Sequence, residues 1–91
     1  MNLPTDIVTR VAQDFPAPAD REQVLKELTE LDVNERDRIA RCVLFCAAGD
    51  LGQFRDMAAL ARLDYRDVIM SAEYEYPSCK RLRSFIEPFA T

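Results

Sequence analysis

The stretch LDYRDVIMSAEYEYP, Leu63 to Pro77, holds three tyrosines, four acids and a methionine. Tyr65, Val68, Ile69, Ala72 and Tyr76 fall in one arc of a helical wheel, the pattern of a helix with a single apolar face. Asp64 precedes that arc as an N-cap and Pro77 breaks it. The opposite face carries Asp67, Met70, Ser71 and Tyr74. Met70 and Tyr74 are four residues apart, so on a helix they form one apolar spot. Methionine and tyrosine among acids is the composition of a protein-contact surface. The competing reading is that Phe85 or Phe89, from the C-terminal segment, folds back and covers the spot.

The same 3.6-residue period runs outward through the rest of the chain. Thr5 is the expected cap of a first helix with Ile7, Val8, Val11, Ala12 and Phe15 inward. Pro16 to Pro18 ends it, and Pro18 suits the first turn of a second helix with Val24, Leu25, Leu28 and Leu31 inward. Asn34 is expected to cap a third, ERDRIARCVLFCAA, which Gly49 closes as C′ residue. Its last two turns are apolar almost all round. Asp50 caps a fourth, with Leu51, Phe54, Met57, Ala58 and Ala61 inward. After Pro77, SCKRLRSFIE reads as a short final helix docking through Cys79, Leu82 and Ile86 until Pro88. No segment alternates with period two, so no sheet is assigned.

The predicted fold is all-α, a single domain over residues 1–91. It has five or six short antiparallel helices, arranged as a compact bundle or as stacked, repeat-like helical hairpins. One echo favours hairpins: LTELD at Leu28 to Asp32 recurs as LARLD at Leu60 to Asp64, an offset of 32 residues. That is near the length of a tetratricopeptide repeat, whose signature residues are missing.

The stretch GDLGQFRDMAALARLDYRDVIMSAEYE resembles a pattern in small bacterial proteins of unassigned function, in which GDL is followed by DYRDV and then AEY. The likeness covers roughly the C-terminal half. It implies a bacterial, cytosolic, helical protein and brings no activity with it.

Composition limits the classes of function. Hydrophobic residues make up 48% and charged residues 31%, the balance of a folded, soluble chain. The longest apolar run, Cys42 to Ala48, is too short to span a bilayer, and MNLPTDIVTR lacks the pattern of a signal peptide. A cytoplasmic location is expected, with the three cysteines as free thiols. The net charge of −4 works against binding a phosphate backbone. There is no histidine, so the commonest base and metal ligand near neutral pH is missing.

Several constellations carry potential chemistry. Cys42 and Cys46 share a helix face as two metal ligands would. They also share it with Ile39 and Val43, and only Cys79 could join them, so core packing is the reading adopted. FRDMAALARLDYRDVIMSAEYE can be aligned with a helix-turn-helix through Ala58 and Val68. Arg62 then stands where glycine is usual, and Asp67, Glu73 and Glu75 would approach phosphates. Lys80, Arg81 and Arg83 make a small basic patch. Carboxylate pairs such as Asp64 with Asp67, or Glu73 with Glu75, are read as solvated surface, with nothing to mark one as buried or perturbed.

The function expected is that of a non-enzymatic interaction module: an adaptor, an immunity- or antitoxin-type neutraliser, or a self-associating protein. Its partner is another protein or a second copy, bound through Asp67, Met70, Ser71 and Tyr74. No catalytic residue, cofactor, metal, small-molecule substrate, nucleic acid or membrane is assigned. The alternatives are a helix-turn-helix regulator and, behind it, a carboxylate-dependent enzyme.

Overall fold

In the computed structural model, which describes residues 3–75, 78 and 80–89, four helices and one small hairpin organise the chain. The helices are α1 (Thr5–Asp14), α2 (Pro18–Thr29), α3 (Arg36–Ala47) and α4 (Leu51–Glu73). Strands β1 (Tyr74–Glu75) and β2 (Lys80–Arg81) pair antiparallel, Tyr74 opposite Arg81 and Glu75 opposite Lys80.

The apolar stripes account for the packing. Ile7 and Val11 of α1, Val24 and Leu28 of α2, and Phe54 of α4 are fully buried around α3, whose residues 39–44 are all buried. Phe15 meets Phe54 edge-on, with ring centroids 6.0 Å apart, tying the end of α1 to the start of α4. The α3–α4 pairing is the most extensive, as expected of the helix whose last two turns are apolar almost all round. α1 packs on α2 and α3, and α2 on α4. The radius of gyration is 12.3 Å, against about 12 Å for a compact chain of this length.

Local signals set most boundaries. Pro18 opens α2. Asp50 caps α4, its Oδ1 accepting from the Gln53 amide at 2.9 Å. Gly49 follows α3 at φ 81°, a left-handed conformation that suits glycine, and a Cβ there would stand 3.4 Å from the Asp14 carbonyl oxygen. Two predicted caps are corrected. α1 starts from Pro4 with no side-chain cap at Thr5, and α3 starts from Glu35, which takes a left-handed φ of 55°, instead of from Asn34.

The count of five or six helices is also corrected to four. The break predicted at Asp64 is present as a kink inside α4: Asp64 alone leaves the helical region, with φ −154° and ψ 96°. Its Oδ1 accepts from the Arg66 amide at 3.1 Å, so helical bonding resumes within two residues. The final helix does not form. The described part of 78–89 is a strand, turns and extended chain, and Leu82 and Ile86 are 50% and 55% exposed instead of docked. The aromatic residues on the other side of this segment, Phe85 and Phe89, turn inward. Tyr76, Pro77 and Cys79, assigned above, lie outside the described residues. The repeat-like echo is uneven in the structure: Leu28 is buried and Leu60 packs against the core, but Leu31 is buried whereas Leu63 is 84% exposed.

Candidate functional site

The predicted contact face lies on the second segment of α4 and the first residue of β1. Asp67, Met70 and Ser71 are exposed, Met70 by 42%, and Tyr74 is half-buried. The apolar residues of the opposing arc point the other way: Val68 and Ala72 are buried and Tyr65 and Ile69 pack against the core. α4 ends at Glu73, so Tyr74 has extended backbone (φ −115°, ψ 151°), and its amide still donates to the Met70 carbonyl. Met70 and Tyr74 are thus neighbours across a helix end, not along a continuous helix.

Phe85 and Phe89 are engaged elsewhere. The Phe85 ring lies 5.2 Å from that of Phe45 on α3 and 5.6 Å from Phe89, and the Arg10 guanidinium lies 4.7 Å over Phe89.

One residue that the sequence placed on the surface is at the centre of the molecule's strongest electrostatics. Glu73, the last residue of α4, is fully buried. Its carboxylate accepts two bonds from Arg38 of α3, both at 2.8 Å, one from Arg81 at 3.2 Å and one from the Phe85 amide at 3.1 Å. The Cys42 thiol lies 3.7 Å from it. Burial alone would raise the Glu73 pKa, but Arg38, the Phe85 amide and Arg81 outweigh it and lower the value to about 2. The Arg38 pKa is raised by the same bond. Burial pushes the Cys42 thiol well up, and the Glu73 charge pushes it further.

A second pair lies one turn along the same face of α3. Arg41, itself buried, donates to both oxygens of Asp6 at 2.9 and 3.2 Å and to the carbonyls of Phe85 and Ile86. Asp6 also accepts from the Phe89 amide at 3.0 Å. The Arg41 bond holds its carboxyl below the usual range against the effect of burial. Both carboxylates are saturated with donors and ionised at neutral pH. Neither is poised to exchange a proton there.

The other candidate chemistry is absorbed by structure. Cys42 is buried and Cys46 half-buried, both as free thiols, and among the described residues no group of three or more Cys, Asp or Glu is placed to hold a metal. In the basic patch, Arg81 is paired with Glu73, and Arg83 donates to the Ala72 carbonyl at 2.6 Å while stacking over Phe45 at 4.6 Å. The helix-turn-helix alignment meets a single non-helical residue at Asp64, where that motif has a turn of three or four, and its Glu73 is buried. An open depression of about 500 Å³ is lined by Glu35, Arg36, Asp37, Arg38, Arg41 and Ile86. Arg38 and Arg41 line it while engaged in the two ion pairs, and they also bond Glu35 and the Ile86 carbonyl in its wall. No described helix is long and apolar enough to cross a membrane.

Sequence reasoning missed Glu73, Asp6, Arg38 and Arg41. One signal was available: in the wheel of Leu63 to Pro77, Glu73 lies next to Ala72 and four residues beyond Ile69, at the margin of the apolar arc. A comparison with known proteins finds no matching family model, no matching curated protein and no matching solved structure.

Proposed function

We propose that the protein is a non-catalytic interaction module that docks another protein, or a second copy of itself, on the outer side of the second segment of α4. The observation that carries this reading is Met70, a large apolar side chain 42% exposed with Asp67 and Ser71 exposed beside it. The two phenylalanines that could have covered it are packed against α3 and each other. Leu63, the most exposed large apolar residue described, lies before the Asp64 kink, on the first segment of the same bent helix. Tyr74 at the edge supplies an aromatic body with a polar tip, the kind of anchor that carries binding energy at interfaces. Asp67 and its acidic neighbours favour a partner whose rim is basic.

Adaptor, neutraliser and self-associating protein all use such a face. The resemblance to small bacterial proteins supports, within this proposal, a setting in a bacterial cytosol. The test is capture from a lysate of the source cell with the wild-type chain and with Met70→Lys as parallel baits, beside a sizing column run over a range of concentrations. A captured protein or a dimer that is present with wild type and lost with Met70→Lys supports the reading. Identical profiles for the two baits contradict it.

A further inference from the structure

Residues 80–89 cross the surface of α1 and α3 as a strap with little secondary structure of their own. The strap is held from outside itself, at points spaced along its length. The Leu82 amide donates to the Glu73 carbonyl at 2.8 Å. The Phe85 amide donates to the Glu73 carboxylate, and the Phe89 amide to the Asp6 carboxylate. Each carboxylate also binds an arginine of α3, Glu73 to Arg38 and Asp6 to Arg41. Arg41 closes the circuit by donating to the Phe85 carbonyl at 3.1 Å. The two clamps are therefore one network: Phe89 amide, Asp6, Arg41, Phe85 carbonyl, and across that peptide-linked residue the Phe85 amide, Glu73 and Arg38.

Two rings, Phe85 against Phe45 and Phe89 beneath Arg10, and Arg83, which donates to the Ala72 carbonyl and lies over Phe45, complete the attachment. Few buried apolar groups, no helix, and side-chain anchors centred on two carboxylates are the features of a segment that opens before the molecule unfolds. Sharing of Arg41 between the clamps makes loss of one loosen the other. We propose that residues 80–89 are a clasp that releases α1 and α3 as one unit while the four helices stay folded. Release bares the rest of the Phe45 ring, already 36% exposed, and the neighbouring half-buried Cys46, an apolar, thiol-bearing face that the strap covers only in part in the resting chain. This device does not depend on the Met70 face.

The test is residue-resolved amide hydrogen exchange on the full chain, across low concentrations of urea. The amides of Leu82, Phe85 and Phe89 should share one exchange behaviour, at least about tenfold faster than the buried amides around Val43 and nearly independent of urea. The Val43 region reports global opening and should carry the full urea slope. In Asp6→Asn, whose side chain meets Arg41 and, within the strap, only the Phe89 amide, Phe85 and Leu82 should speed up by the same factor as Phe89. The proposal is overturned if the strap amides match the Val43 region in rate and slope. It is equally overturned if Asp6→Asn moves Phe89 alone. Should that variant fail to fold, the wild-type urea series decides by itself.

Discussion

Replacing Glu73 by glutamine keeps the shape of the side chain and removes its charge. The amide introduced can still accept through its single carbonyl oxygen, but it leaves Arg38, whose side chain is only 15% exposed, without its buried counter-ion. Removing one partner of a buried pair costs about 3–5 kcal/mol when the other is trapped. Arg38 retains a weaker bond to Glu35 at 3.4 Å, so the low end applies. A second route gives the same size. The Glu73 carboxyl titrates at about 2 in the folded chain against an ordinary value of 4.5; that gap, at about 1.36 kcal/mol per tenfold, is about 3 kcal/mol. Because the folded value is the lower one, this stabilisation is complete above about pH 5 and disappears as pH falls toward 2. Urea unfolding at pH 7, followed by circular dichroism, should therefore show Glu73→Gln destabilised by about 2–4 kcal/mol. A chain of this size should melt about 10–25 °C lower. Between pH 5 and 2 the variant should lose less stability than wild type, keeping only the part of the acid sensitivity due to Asp6. Glu75→Gln, two residues along on the exposed hairpin, should change stability by less than about 0.5 kcal/mol. A Glu73→Gln effect as small as that of Glu75→Gln would refute the buried-clamp account.

Other outcomes follow from the packing. Leu44→Ala, at a fully buried position of α3, should cost about 3 kcal/mol in the same urea assay, and the Cys42 thiol in the native chain should react with a maleimide far more slowly than in the unfolded chain, as read by peptide mass. Gly49→Ala forces a Cβ into a left-handed turn beside the Asp14 carbonyl and should lower stability by about 1–2 kcal/mol. Asp50→Ala removes the side-chain cap of α4 and should cost about 1 kcal/mol, with serine at the same position restoring most of it.

What could be read from the sequence was whatever is local or periodic. The stripes of α1 to α4, apart from Ala12, which was expected inward and is exposed, the start at Pro18, the cap at Asp50 and the turn at Gly49 each depend on neighbours within a few residues. The last segment was misread because Leu82 and Ile86 have helical spacing, whereas Phe85 and Phe89 have the same spacing one register away. Only the tertiary surface of α3, with Phe45 beside Arg41, decides which pair turns inward. The hairpin was invisible because strands of two residues give no alternation to detect. Glu73 was misplaced for a related reason. A carboxylate is buried only where arginines from elsewhere meet it, and Arg38 is 35 residues away in the chain. The contact face was legible as a pattern, Met70 and Tyr74 opposite the apolar arc, but its exposure depended on where the C-terminal aromatics went.

The claim that the face of Asp67, Met70, Ser71 and Tyr74 is a docking surface rests on its being outside the core. The double substitution Met70→Lys with Tyr74→Ser tests this most directly, with a thermal melt read beside partner capture and a sizing column. The melting temperature should fall by no more than the equivalent of about 1 kcal/mol, most of it from half-buried Tyr74. Binding to the captured partner, or the dimer peak, should weaken by about 2 kcal/mol or more, roughly 30-fold in Kd. A loss of several kcal/mol in stability would show that the face belongs to the core, and unchanged binding with unchanged stability would show that no partner uses it.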